Sequence, residues 1–320
     1  MRRLIAILLL AALAAPGTWL RTAPAPADFR PLLEIKPLPV VQRAIGGFAV
    51  LGAWELASAN THFGSYSALL AMPDGTLFAA SDRGRFLRFT PPGERGAPRF
   101  GWLAGDADTL KEQIDIEAMT RDPASGRVWF AYEGTNAIER RDSKLRSEET
   151  ARPQSMAGFG ANSGPEAFAR LADGRFVVLS EGPRKWLGSH HPGVLFSGDP
   201  VAGGKATTFT FVSDGGYKPV DMVQIPDGRI LILLRRLELG IPPGFSGKVL
   251  IADPADIANG GEWRGEQILA LDERLPSDNY EGLAVDPQPD GSLVLWLIAD
   301  DNNAVLQRTL LLKLRWVPGQ

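Results

Sequence analysis

The sequence predicts an all-β fold, a β-propeller of five or six blades, on three observations. A hairpin unit recurs five times, its second strands are nearly continuous apolar runs, and a strand-like piece near the N-terminus lacks a hairpin of its own. Each unit runs from a polar anchor through an alternating apolar stretch to a turn ending in Gly, then into a second apolar stretch. The copies begin at Tyr66, Ile116, Pro165, Val220 and Tyr280, with turns at Asp74-Gly75, Ser125-Gly126, Asp173-Gly174, Asp227-Gly228 and Asp290-Gly291. A Gly that can take positive φ between two apolar runs is a strong short-range hairpin signal.

The second strands include Phe176-Val-Val-Leu179, Ile230-Leu-Ile-Leu-Leu234 and Leu293-Val-Leu-Trp-Leu-Ile298. Strands this uniformly apolar belong where both sheet faces are covered. Third strands follow at Phe86–Phe89, Val194–Phe196, Val249–Ile251 and Leu310–Leu314. Three or four strands per unit, repeated around a ring, make a propeller, with a β-sandwich as the competing arrangement. The segment from Phe48 to Leu56 is expected to supply the outer strand of the last blade, whose repeat runs out of chain at Trp316. That closes the ring without an open sheet edge.

At 320 residues, 44% hydrophobic and 22% charged, the chain can bury a sizeable core. Lys+Arg 34 against Asp+Glu 37 leaves a net charge of -3, so there is no basic field for nucleic acid. The absence of cysteine excludes disulfides, thiolate metal sites and a cysteine nucleophile. No G-x-S-x-G marks a nucleophile elbow, and the paired glycines belong to neither a P-loop nor a dinucleotide fingerprint. Arg2 and Arg3 ahead of the apolar run Leu4 to Ala15 predict a signal peptide, with an uncleaved anchor as the alternative. Residues 1–27 are thus assigned to signal and spacer and 28–320 to the propeller domain. The mature protein is expected to be monomeric, without a membrane span, and periplasmic or secreted.

Acids fall where the hairpins open. If each turn is centred between its last two residues, Glu166 mirrors Glu181, Glu281 mirrors Asp300 and Ser67 mirrors Asp82. Glu117 with Glu133 and Asp221 with Arg235 lie within one residue of the mirror position. Like charges directly opposite on a sheet destabilise it, so a hard cation, a shared proton or nearby basic residues must offset them. Arg83, Arg85, Arg184, Lys185, Arg235 and Arg236 are the basic candidates, and Asp115 and Asp301 extend the acidic set. Of the three histidines, His62 stands alone and the pair His190-His191 is expected in a solvated loop.

Ser81-Asp82-Arg83-Gly84, Asp115-Ile-Glu117-Ala118, Gly164-Pro-Glu166-Ala167, Leu234-Arg235-Arg236, Asn279-Tyr-Glu281-Gly-Leu-Ala284 and Asp300-Asp301-Asn302 occur in that order. This set resembles the phytase-like domain family, labelled "esterase-like activity of phytase", over about residues 60 to 316. The resemblance implies an exported bacterial propeller that hydrolyses a phosphoric or related ester. Where an Ala-Met, Ala-Phe or Met follows the acid instead of Gly-Leu, at Glu117, Glu166 and Asp221, the chain departs from the family pattern.

The expected chemistry is a divalent cation, Ca²⁺ by ligand type, held by Asp82, Glu117, Glu166, Glu181, Glu281 and Asp300. Glu166, Glu281 and Asp300 are the catalytic candidates, and Arg83, Arg235 and Arg236 would grip the substrate's phosphate. A non-catalytic envelope propeller that binds a ligand or partner at the same mouth is the alternative.

Overall fold

The computed structural model describes residues 26–105, 109, 114–160, 162–183, 188–240, 244–272, 274–302 and 307–319. The expected signal peptide, most of the spacer, and Arg184 and Lys185 lie outside them. Among the described residues the strands form five sheets, antiparallel throughout except that the short strand Glu262–Trp263 adds in parallel to Ala206–Val212. Blade 1 comprises Tyr66–Ala71, Leu77–Ser81, Arg85–Phe89 and Arg99–Trp102; blade 2 comprises Ile116–Arg121, Val128–Tyr132, Ala137–Arg141 and Ser147–Ala151. Blade 3 comprises Pro165–Arg170, Phe176–Ser180, His190–Phe196 and Ala206–Val212; blade 4 comprises Lys218–Gln224, Ile230–Glu238, Gly244–Ala252 and Glu266–Leu271. Blade 5 takes Tyr280–Pro287, Leu293–Ala299 and Leu310–Trp316 from the C-terminal end, then Phe48–Ala57 and Glu34–Pro37 from the N-terminal end.

The first strands of the five blades touch one another in ring order, so they surround the axis. The ring closes as the unpaired N-terminal segment predicted, because Phe48 to Glu55 pair with Trp316 to Leu310. Closure binds the two ends of the described chain into one sheet and removes two open edges.

Each interface between adjacent blades carries its own apolar cluster, which explains the uniform second strands. In blade 3, Val177 and Leu179 pack toward blade 4 while Phe176 and Val178 pack toward blade 2. Successive side chains of a strand point to opposite faces, so a strand between two neighbours must be apolar at every position.

The hairpins do not have the assumed mirror. In blade 3 the Gly174 N–H bonds Leu171 O and Gly174 takes φ +90°, so the loop holds five residues and Arg170 faces Phe176. The turn therefore centres on Asp173, and Glu166 is not opposite Glu181. The other Asp-Gly hairpins repeat this, with Ala71 facing Leu77, Gln224 facing Ile230 and Pro287 facing Leu293. A second irregularity follows: every first strand carries a bulge near its start, at Ser67, Glu117, Glu166, Val220 and Glu281. A bulge leaves one residue unpaired and re-aims its side chain. The acid-to-acid mirror pairs are thus replaced by bulged acids on first strands and separate acids just beyond the second strands. The latter pair through backbone: Asp82 N–H to Ser65 O, Glu133 to Asp115, Glu181 to Gly164 and Asp300 to Asn279.

Asp221 is also placed differently. It faces Leu233 across the hairpin, not Arg235, and its side chain accepts the Leu283 N–H of blade 5 at 2.6 Å and the Met222 N–H at 2.8 Å. It is a buried tie between two first strands. Asp221→Ala leaves two buried N–H donors without this acceptor, and unfolding free energy should fall by about 2 kcal/mol or more. Denaturant unfolding measures it, and an unchanged midpoint would rule out this tie.

Candidate functional site

Three bulged glutamates, Glu117, Glu166 and Glu281, come from blades 2, 3 and 5 and meet at one end of the axis. Their mutual repulsion shows the proximity: Glu117 is influenced by Glu166 and Glu281, and Glu166 by Glu281. With Asp115, Glu133, Glu181 and Asp300 they make seven acids with only 4–9% of their surface exposed. Burial of this much carboxylate needs compensation, and the mouth divides by how it is supplied.

On one side the compensation is a cation. Arg235, opposite Lys218 in blade 4, stands one residue past the Pro219–Leu234 pair that precedes the bulge, the position at which the other blades carry Asp82, Glu133, Glu181 and Asp300. Its Nη2 lies 3.0 Å from Glu181 Oε1 and its Nε 2.9 Å from Glu281 Oε1. Lys218 Nζ adds a contact to Glu181 Oε2 at 2.9 Å, and Asn279 Nδ2 donates to Glu281 Oε1 at 2.7 Å. Burial still pushes the Glu281 carboxyl above the usual carboxylate range, with Arg235 and the Asn279 amide working against the shift. The two acids raise the Arg235 guanidinium further, despite burial.

On the other side the acids face one another. Asp115, Glu117 and Glu133 each offer a carboxylate oxygen within 4.8 Å of the others. Burial first, then Glu166, Asp115 and Glu281, push the Glu117 carboxyl far up. Glu166 is raised by burial, then by Glu181, Glu133 and Glu281, and the hydrogen bond between the two carboxyls raises Glu166 further while it draws Glu133 down. Asp300 is pushed up to about 9 by burial and Glu281, against a hydrogen bond from the Asn302 N–H.

Asp82 is half-buried and acts on both Glu281 and Asp300, so it borders the same mouth. Arg83, next to it, is exposed. Arg236 points away: it pairs with Glu238 at 2.5 Å, donates to Gly215 O and covers the Tyr217 ring. Asp301 also turns out of the set, accepting from the Ser65 N–H and the Thr309 hydroxyl. The His190-His191 pair lies on a strand, not in a loop. His191 is fully buried, with Nδ1 2.8 Å from Glu181 O and Nε2 3.1 Å from Ser213 Oγ, while His190 is exposed. Strand alternation separates them, and burial lowers the His191 pKa.

Sequence reasoning saw Glu133 and Asp115 near Glu117 but left both out of the ligand set. The signal was present: Asp115-x-Glu117 opens a first strand and Glu133 closes the second strand of the same hairpin. The far mouth holds a cavity of about 440 Å³ lined mainly by apolar side chains such as Leu69, Met119, Met222 and Leu283. It lies at the opposite ends of the first strands from the acids, so it does not belong to this site.

A family model described as phytase-like, esterase-like activity of phytase, matches residues 61–303. No curated protein matches. Among solved structures, a luciferin-regenerating enzyme is 10% identical with a TM-score of 0.45, covering 83% of this chain and 81% of that one. Hydrazine synthase of Kuenenia stuttgartiensis is 14% identical at 0.43, covering 88% and 80%, and a chain of a nidogen/laminin complex is 9% identical at 0.45, covering 89% and 93%. These likenesses carry nothing about chemistry.

Two stability measurements follow from the mouth. Between the usual carboxylate value of 3.8 and about 9, folded Asp300 keeps a proton that the unfolded chain has lost. Each such proton makes stability fall by about 1.4 kcal/mol per pH unit as pH rises. Asp300→Asn should therefore unfold at a higher temperature than the parent at pH 7 without divalent cations, and the difference should vanish toward pH 4. An equal difference at both pH values would contradict the shift. Arg235→Met removes the cation between Glu181 and Glu281 and should cost about 3–5 kcal/mol, the price of a broken buried pair. A loss below about 1 kcal/mol would mean that solvent already screens the pair.

Proposed function

We propose, from the premise that the chain belongs to the phytase-like family, that it is an exported hydrolase of a phosphoric or related ester acting at the acidic mouth. The observation that carries this reading is the buried group Asp115, Glu117 and Glu133, with oxygens within 4.8 Å of one another and Glu166 beside it. The donor set fits a hard divalent cation, because such ions take carboxylate oxygens and three carboxylates offer up to six. Ca²⁺ suits the type and crowding of these ligands. Bound there, the cation would polarise the ester oxygen and lower the pKa of a coordinated water.

The chain's own residues divide the remaining work. Glu166, holding a proton in its hydrogen bond with Glu133, donates that proton to the leaving oxygen. Arg235 pairs with Glu181 and Glu281 and holds them off the cation site, so the negative charge facing the substrate is limited to the ligand group. Its partly exposed guanidinium and Arg83, exposed beside Asp82, would contact the phosphate, whereas Arg236 is engaged outside the mouth. Export rests on the N-terminal 27 residues.

Added Ca²⁺ should raise the thermal midpoint of the purified protein, because a ligand of the folded state alone stabilises by mass action. Glu117→Gln should abolish that rise together with hydrolysis. Glu166→Gln should lower kcat about a hundredfold or more for an alkyl ester and far less for a nitrophenyl ester, whose leaving group needs no proton. No midpoint shift and no hydrolysis of phosphate or carboxylic esters, with or without Ca²⁺, would overturn the reading in favour of a ligand-binding propeller.

A further inference from the structure

Blades 1 and 2 part at their turn-side ends, away from the acidic mouth, and leave a cleft of about 360 Å³. Its floor is apolar: Phe78 stacks on Phe86 with centroids 5.5 Å apart, and Met72, Val128 and Leu145 surround them. Its rim is cationic. Arg88, Arg99, Arg121 and Lys144 line it, and among the described residues no Asp or Glu does.

Two features of this rim are unexplained by folding alone. Arg88 and Arg99 are direct cross-strand partners, where like charges destabilise a sheet. Arg88 is answered by Asp74 on its own blade, but Arg99 and Arg121 make no ion pair among the described residues. Elsewhere on the same face the turn arginines are paired, Arg175 with Asp173, Arg229 with Asp227 and Arg315 with Asp290. The missing acids are thus local to the cleft. Guanidinium groups prefer phosphate-like dianions, which they hold in bidentate fashion, and Phe86, half-buried and stacked on the buried Phe78, offers the aromatic surface of the floor.

We propose that this cleft binds a small organic anion in which a phosphate-like dianion is joined to an aromatic body, the dianion held by Arg99 and Arg121 and the ring set against Phe86. The site is separate from the acidic mouth and does not rest on hydrolytic activity.

Calorimetric titration of the full protein with 1-naphthylmethylphosphonate tests it, since a phosphonate carries the required anion and no cleavable ester. Saturable binding at one site per chain is expected, with 1-naphthylmethanol and methylphosphonate each binding at least tenfold more weakly. Arg99→Gln and Arg121→Gln should each weaken the phosphonate at least tenfold, whereas Glu117→Gln at the acidic mouth should leave its affinity unchanged. Both arginines reach solvent, so the variants should fold, and an unchanged thermal midpoint without ligand checks this. No saturable binding, equal binding of the alcohol, binding that survives both substitutions, binding lost in Glu117→Gln, or adsorption to anionic lipid vesicles without binding of the soluble phosphonate would each overturn the proposal.

Discussion

Arg235 governs the electrostatics of the axis. Its guanidinium contacts Glu181 of blade 3 and Glu281 of blade 5 while its own strand belongs to blade 4. Three adjacent blades are therefore joined at their inner ends by one cation. Without it, two more carboxyl groups would join an already crowded set, and each would have to take up a proton or lose its burial. The same pairing leaves Asp115, Glu117 and Glu133 on the far side as a group whose members chiefly repel one another. One positive side chain thus partitions a ring of acids into a neutralised half and a half suited to a cation.

The backbone makes this partition possible. Bulges at equivalent points of all five first strands turn one residue per blade out of the ladder. Where that residue is Glu, it joins the axial group; where it is Ser67, its hydroxyl bonds Ile116 O of the next blade; where it is Val220, blade 4 contributes Arg235 instead. Repetition supplies the positions, and variation among the copies supplies the chemistry. Gly282 shows how local the constraint is: a Cβ there would come within 2.7 Å of Ile298 Cγ2 and 3.0 Å of the Ala68 carbonyl carbon. The Glu-Gly-Leu pattern is required at that seam, whereas blades 2 and 3 accommodate Ala118 and Ala167 next to their glutamates with both alanines fully buried.

The repeat, the strand order within each hairpin and the closing role of the Phe48 segment were legible because they depend on local signals: period-two patterning, turn glycines and an orphan strand. The acids at the hairpin ends were legible for the same reason. Their facing partners were not. A five-residue loop in place of the assumed two-residue turn shifts the mirror, and a bulge shifts it again, yet both loops carry the same Asp-Gly signature. His191 illustrates a second limit. An adjacent His pair says nothing of burial, and only Ser213, just past the neighbouring strand, makes one ring an interior hydrogen-bonding group.

By itself, then, the sequence determined an all-β ring of repeated hairpins with acids gathered at one end, since hydrophobic period and turn chemistry act over a few residues. Which acids share a cation, which share a proton and which turn away was decided by tertiary structure alone. Arg235 reaches Glu181 across 54 residues, and Asp221 reaches the Leu283 N–H across 62. Such pairings depend on the distance between side chains of different blades, and Coulomb energy in a buried site changes with every ångström of that distance in a way no spacing along the chain encodes.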